Sequence, residues 1–141
     1  MKNILNKNLI QRYSRQIILK DVGPIGQKKI INSKVLVVGA GGLGCPVIDY
    51  LSRAGVGNIG IVDNDKVNIS NIHRQSLYTS KDVGKFKVNI AKKKVKLINP
   101  QIKIKTFKKK IEKKNIGQIF KNYDFIIDGS DNFKTKFLLN E

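Results

Sequence analysis

Cysteine is nearly absent from this 141-residue chain: Cys45 stands alone. That excludes an intramolecular disulfide framework and suits a reducing compartment. Long apolar runs are absent too. None approaches the roughly 18–20 residues of a membrane helix, and the N-terminus lacks the apolar core of a signal peptide. The expectation is a soluble, cytoplasmic protein with no membrane partner, an organellar stroma being left open. Acidic residues are scarce, 10 against 28 lysines and arginines, and the formal net charge is +18. Such a charge invites a nucleic-acid reading. Yet arginine, the residue best fitted to bidentate phosphate and base readout, is also rare, with only Arg12, Arg15, Arg53 and Arg74. The excess is lysine, accompanied by much asparagine and isoleucine. It reads as a solvated surface whose field steers polyanions and acidic proteins, with no nucleic-acid partner expected.

What is present is concentrated between residues 34 and 63. Lys34-Val35-Leu36-Val37-Val38 is a short β-branched run of the kind that forms a buried parallel strand. The turn Gly39-Ala40-Gly41-Gly42-Leu43-Gly44 follows, then a helical segment over 45–54 and a second apolar strand ending in Asp63. Gly39 permits a tight turn, Gly41 lets the backbone approach phosphate oxygens, and Gly44 lets helix and strand pack closely. The free N–H groups at the helix start attract an anion. Asp63 is placed to accept hydrogen bonds from ribose hydroxyls. Strand, turn, helix, strand and acid in this order predict a nucleotide-binding core; a merely tight βαβ turn is the plainer alternative.

The rest of the chain extends the pattern. Residues 3–19 predict an amphipathic helix carrying Arg12-Tyr13-Ser14-Arg15-Gln16, and Gly23-Pro24 starts a short second helix. After Asp63 comes the polar stretch Asn64-Asp65 to Arg74-Gln75, where open α/β sheets place their ligands; Ser70 and Asn71 can cap a short helix there. A helix over 86–98 begins near Lys87. Residues 103–107 alternate like a sheet-edge strand, and the lysines at 108–110 and 113–114 read as a solvated connection. A short helix over 116–121 leads to a buried strand over 123–128, then Gly129-Ser130-Asp131-Asn132 and a last helix. One compact unit is expected, with a helical segment over 1–33 and a doubly wound, Rossmann-like parallel α/β sheet over 34–141.

The polar residues that follow strands are Asp63, Asp65, Asn71, Arg74, Gln75, Lys87 and Asp131. Cations and amides can hold a triphosphate, an acid can hold ribose, and Asp131 can hold Mg2+. Taken singly, Asp131 could be only the cap of the last helix, and Lys87 only a surface lysine. Together with the glycine turn, the motifs Arg12–Gln16, Asp63–Asp65, Ser70-Asn71-Ile72-His73-Arg74-Gln75, Gly84-Lys85-Phe86-Lys87-Val88 and Asp128–Asn132 resemble the ubiquitin-activating-enzyme-like ThiF/MoeB/HesA family. The likeness covers residues 12–141 in unbroken order.

The resemblance implies ATP-dependent adenylylation of the C-terminal glycine of a ubiquitin-like sulfur carrier, by a homodimer. It implies that Gly39, Gly41, Gly42 and Gly44 lie under the nucleotide, that Asp63 binds its ribose and that Asp65 belongs to the same nucleotide site. Ser70, Asn71, Arg74, Gln75 and Lys87 contact nucleotide and phosphates, and Asp131 coordinates magnesium with Asn132 beside it. Arg15 reaches into the partner subunit's site. His73 stands where the family more often has Asn or Gln and reads as a packing or polar residue, and Cys45 reads as core. The family's later strands and zinc-binding Cys-x-x-Cys pairs have no counterpart in these residues, so zinc is not expected in this chain. The alternative is a non-catalytic nucleotide-binding or dimerisation remnant. A nicotinamide-dependent oxidoreductase would leave Arg74, Gln75, Lys87, Asp131 and Asn132 without a task.

Overall fold

A computed structural model describes residues 5–140. Its order is α1 (Lys7–Ile17), α2 (Gly23–Asn32), β1 (Lys34–Val38), α3 (Gly44–Ala54), β2 (Asn58–Val62), α4 (Lys87–Ile98), β3 (Lys103–Phe107), α5 (Lys113–Phe120), β4 (Phe125–Asp128) and α6 (Phe133–Asn140). The four strands are all parallel in the order β3-β2-β1-β4. Successive crossovers put α3 and α4 on one face and α5 and α6 on the other, as the doubly wound reading expected.

The pleat explains the two cores. Val35 and Val37 of β1 join Ile59 and Ile61 of β2, Ile48 of α3 and Val88, Ala91 and Val95 of α4. Leu36, Val38 and Val62 point the other way, onto Ile119 of α5 with Leu138 and Leu139 of α6. Being covered on both faces is why β1 reads as a continuous apolar run rather than an alternation.

Several boundaries differ from the sequence expectation. The first helix occupies Lys7–Ile17, not 3–19, and Ile4 lies outside the described residues. Its backbone leaves the helical region at Tyr13, whose ring is drawn inward: the Tyr13 hydroxyl accepts from Asn99 Nδ2 at 2.9 Å. Ile10 and Ile18, expected on the apolar face, are exposed. α5 starts earlier than expected, because the Asn115 side chain accepts from the Glu112 N–H and caps the turn there. The strand over 123–128 was expected to be buried, yet β4 is at most half-buried and Phe125 is 61% exposed. Its hydrophobicity is that of a central strand; among the described residues its position is the edge, with only β1 beside it. No helix among the described residues is long and apolar enough to cross a membrane.

Candidate nucleotide site

β1 has β2 on one side and β4 on the other, so the chain crosses the sheet in opposite directions on leaving them. The crevice outside the carboxyl ends at such a point is where open α/β sheets take ligands. A cleft of about 650 Å3 lies there, within the roughly 300–1,000 Å3 usual for small-molecule sites.

The glycine turn forms its floor. Gly39 has φ +93°, a region that β-branched or bulky residues avoid, and its N–H bonds the Val62 carbonyl at 2.8 Å. At Gly44 a methyl group would lie 1.9 Å from the Gly39 carbonyl oxygen, so only glycine lets α3 begin so close to the turn. No side chain caps the start of α3. Among the described residues, neither the Gly41 nor the Gly42 N–H has an acceptor within the chain. Both glycines line the cleft, so unsatisfied donors and the positive end of an eleven-residue helix are gathered at one place.

Asp63 closes the β2 end of the cleft. Its two carboxylate oxygens accept from the Ala40 N–H at 2.8 Å and the Asp65 N–H at 2.7 Å, which ties the end of β2 to the glycine turn. Burial pushes its pKa above the usual carboxylate range, and the two N–H bonds and the nearby Lys87 ammonium oppose that shift. Each oxygen keeps acceptor capacity for a ligand hydroxyl.

Lys87, the first residue of α4, is almost fully buried, and its ammonium reaches Asp65 at 3.1 Å. Asp65 is therefore the lysine's counter-ion as well as a cleft residue. Arg74 folds its stem over Gly42, and its guanidinium is exposed at the cleft. Gln75 is buried with its amide against Gly41, and its carbonyl oxygen has no hydrogen-bond partner. A buried acceptor in that state is one that a bound water or ion would satisfy.

Asn132, not Asp131, caps the last helix: Thr135 N donates to Asn132 Oδ1 at 2.9 Å. Asp131 is thereby left exposed on the cleft wall, with no ion pair or hydrogen bond among the described residues. No group of three or more His, Cys, Asp or Glu among the described residues could cage a metal. A lone carboxylate facing an anion cleft does match Mg2+, which is commonly held by one or two carboxylates plus substrate phosphates.

Four expected residues do not line the cleft, and Gly44 is one of them, buried against the Gly39 carbonyl where α3 begins. Ser70 and Asn71 do not line it, and they do not cap the short 3-10 turn at Ile69–Asn71 either; Asn68 does, accepting from the Ser70 N–H at 2.9 Å. Their carbonyls instead hold the next segment, since Arg74 Nη1 donates to Ser70 O and the Arg74 and Gln75 N–H groups to Asn71 O. Arg15 lies on α1, which is anchored by Tyr13 beside Gly55 and by Gln16 to the Ala54 carbonyl, at the amino end of β2. It is exposed and does not reach the cleft of its own chain. Lysines 109, 110 and 134 do line the cleft, though the first two read as mere connection in the sequence. Their position just past the carboxyl end of β3 was the available signal.

The family model described as the ThiF family matches residues 13–141. The chain belongs to the ThiF family. A curated relative, the sulfur carrier protein adenylyltransferase of Thermus thermophilus, is 45% identical over 135 residues, covering 96% of this chain and 50% of that protein. The solved structure of TcdA (CsdL) superposes with a TM-score of 0.86 at 26% identity, covering 93% of this chain and 52% of that one. E. coli MccB, in a crystal structure with AMPCPP and MccA, does so with a TM-score of 0.83 at 26% identity, covering 99% of this chain and 42% of that one. The chain thus spans about half the length of these three proteins. Within the ThiF-family part, the glycine turn, Asp63, the Arg74-Gln75 pair, Lys87 and Asp131 converge on one cleft.

Proposed function

We propose that this chain is the nucleotide-binding part of a homodimeric adenylyltransferase. It would use ATP and Mg2+ to adenylylate the C-terminal glycine of a ubiquitin-like sulfur carrier, for thiamine or molybdopterin sulfur transfer. The observation that carries this reading is the convergence on one cleft of unsatisfied N–H donors, Arg74, Asp63 and an Asp131 with no partner among the described residues. A dinucleotide oxidoreductase would leave the Asp131 carboxylate in this cleft without a task.

In the reaction, a glycine carboxylate oxygen forms a bond to the α-phosphorus while the bond to the bridging oxygen breaks, and pyrophosphate leaves with the negative charge. The attacking carboxylate is already ionised near neutral pH, so no general base is required. Positioning and charge neutralisation are what the site must supply. Asp63 takes the ribose hydroxyls, the Gly41 and Gly42 N–H groups face phosphate oxygens, and Arg74 lies over the same turn. Lys87, held low by Asp65, adds a fixed positive charge. Asp131 would hold the magnesium ion, which when bound offsets part of the phosphate charge. Arg15, remote from its own cleft, would serve the site of the neighbouring subunit.

Pyrophosphate–ATP exchange with a purified ubiquitin-like carrier, with and without a supplied C-terminal half, tests the reading, alongside calorimetric titration with ATP·Mg2+ and NAD. ATP should bind more tightly than NAD, and exchange should require the added half, which would anchor the carrier's tail. Tighter NAD binding would overturn the adenylyltransferase assignment. Robust exchange by the 141 residues alone would show that the nucleotide-binding part suffices.

A further inference from the structure

The buried polar groups behind the glycine turn are not used by the chemistry above. Tyr78 is 3% exposed and its hydroxyl donates to the Ala40 carbonyl at 2.7 Å. The Cys45 thiol, fully buried, points at the same oxygen from 3.4 Å. Hydrophobic residues of α3, α4 and β1 surround them, so a plain apolar side chain would fit the burial. A backbone carbonyl in that position needs a donor, and the chain provides it from another segment.

Ala40 is thereby fixed at both ends, its N–H on Asp63 and its carbonyl on Tyr78. The peptide between Ala40 and Gly41 is planar and trans, as is every peptide among the described residues. In a trans peptide the C=O and the following N–H point in opposite directions. A hydroxyl holding the Ala40 oxygen inward therefore turns the Gly41 N–H outward, toward the cleft that Gly41 lines. The hydroxyl also polarises that peptide, which strengthens its N–H as a donor. Tyr78 reaches this place from the Arg74-Gln75 segment, its own N–H bonded to the Gln75 carbonyl at 3.1 Å. Burial holds its phenol far above the usual range, so it is a donor at every working pH.

We propose that Tyr78, backed by Cys45, is a positioning residue that aims the Gly41 N–H at a nucleotide phosphate and locks the Arg74-Gln75 segment to the glycine turn. This inference rests on the nucleotide reading of the cleft. It says that one hydroxyl, out of reach of the ligand, controls phosphate affinity and leaves nucleoside affinity alone.

The test is Tyr78→Phe, which keeps the buried ring, titrated by calorimetry with ADP and with adenosine. The amide of Gly41 is followed by NMR during addition of pyrophosphate. The variant should bind adenosine within about twofold of wild type and ADP roughly five- to tenfold more weakly, the ratio that one hydrogen bond supports. The Gly41 amide should shift downfield with pyrophosphate in wild type and much less in the variant. Unchanged ADP affinity, or equal losses for ADP and adenosine, would overturn the positioning role. If the variant proves unfolded by circular dichroism, the wild-type Gly41 amide decides in its place: a downfield shift on addition of pyrophosphate supports the role, and an unmoved amide in protein that binds ADP overturns it. Wild-type protein that binds neither ADP nor adenosine removes the nucleotide reading itself, and this inference with it.

Discussion

Replacing Gly44 by alanine should damage the fold and the cleft together, and the structure sets the size of the effect. The added methyl would stand 1.9 Å from the Gly39 carbonyl oxygen and 2.8 Å from its carbon, both backbone atoms. Ordinary contact requires the start of α3 to retreat by at least roughly 1 Å. It cannot rotate freely, because Gly129 packs against Gly44 from the β4 side and Ile48 is fully buried one turn later. Forced overpacking of this kind costs about 1–3 kcal/mol. Alanine's better helix propensity returns roughly 0.5–1 kcal/mol in a helix interior, and less at a first turn. The net loss should be about 2 kcal/mol, or a melting point lowered by about 8 °C for a chain of this size. Gly117 supplies the control. It lies inside α5, with nothing within 4 Å of an added methyl and no positive φ, so Gly117→Ala should stabilise by roughly 0.5–1 kcal/mol. Thermal and urea unfolding of both variants, with ADP titration of Gly44→Ala, measure this. A Gly44→Ala protein that melts within about 1 °C of wild type would refute the packing argument.

Asp65→Asn leaves the Lys87 ammonium nearly buried without its counter-ion. Because Asp65 is itself 60% exposed, the cost should be about 1–2 kcal/mol, below that of breaking a fully buried pair, and urea unfolding at neutral pH reads it. Carboxyl NMR should show Asp63 titrating above Asp128. Burial raises Asp63, whereas for Asp128 the bonds from Ser130 and Lys136 outweigh burial and lower it. The signs differ accordingly: the Asp63 shift is a penalty present above its folded pKa and relieved on acidification. The Asp128 shift is stability present above the unfolded value of about 4 and lost below it. Asp128→Asn should therefore flatten the acid limb of the stability curve, and an unchanged limb would contradict the assigned direction. Mixing Arg15→Ala with Asp131→Ala chains, each with the C-terminal half supplied, should restore part of the exchange activity if Arg15 serves the neighbouring site. No recovery in an otherwise active enzyme would remove the cross-subunit role.

The parallel sheet was legible because its signals are local. β-branched runs, a glycine turn and an acid at a strand end fix both the secondary structure and the end of the sheet that carries the cleft. What was not legible depends on neighbours. Phe125-Ile126-Ile127 has the hydropathy of a buried strand, and nothing in it records that only β1 pairs with it. Ser70 and Asn71 have the right chemistry for ligand contact, but Asn68 closes the turn first and commits their carbonyls to placing Arg74 and Gln75. Asp131 reads by sequence as a possible cap of α6; the geometry gives the cap to Asn132 and so frees the carboxylate. The bond from Tyr78 to Ala40 spans 38 positions and leaves no periodicity behind.

The charge distribution separates two roles that the composition merges. Five cationic side chains line the cleft, Arg74, Lys87, Lys109, Lys110 and Lys134, but so do four carboxylates, Asp63, Asp65, Glu112 and Asp131. The cleft is nearly balanced in a chain whose formal charge is +18. The surplus therefore lies over the rest of the surface, where it acts at long range and is screened by salt within about 10 Å at 0.1 M. Recognition inside the cleft has to come from placement instead: donors fixed by the backbone at Gly41 and Gly42, a lysine held by its counter-ion, and one carboxylate with no protein partner.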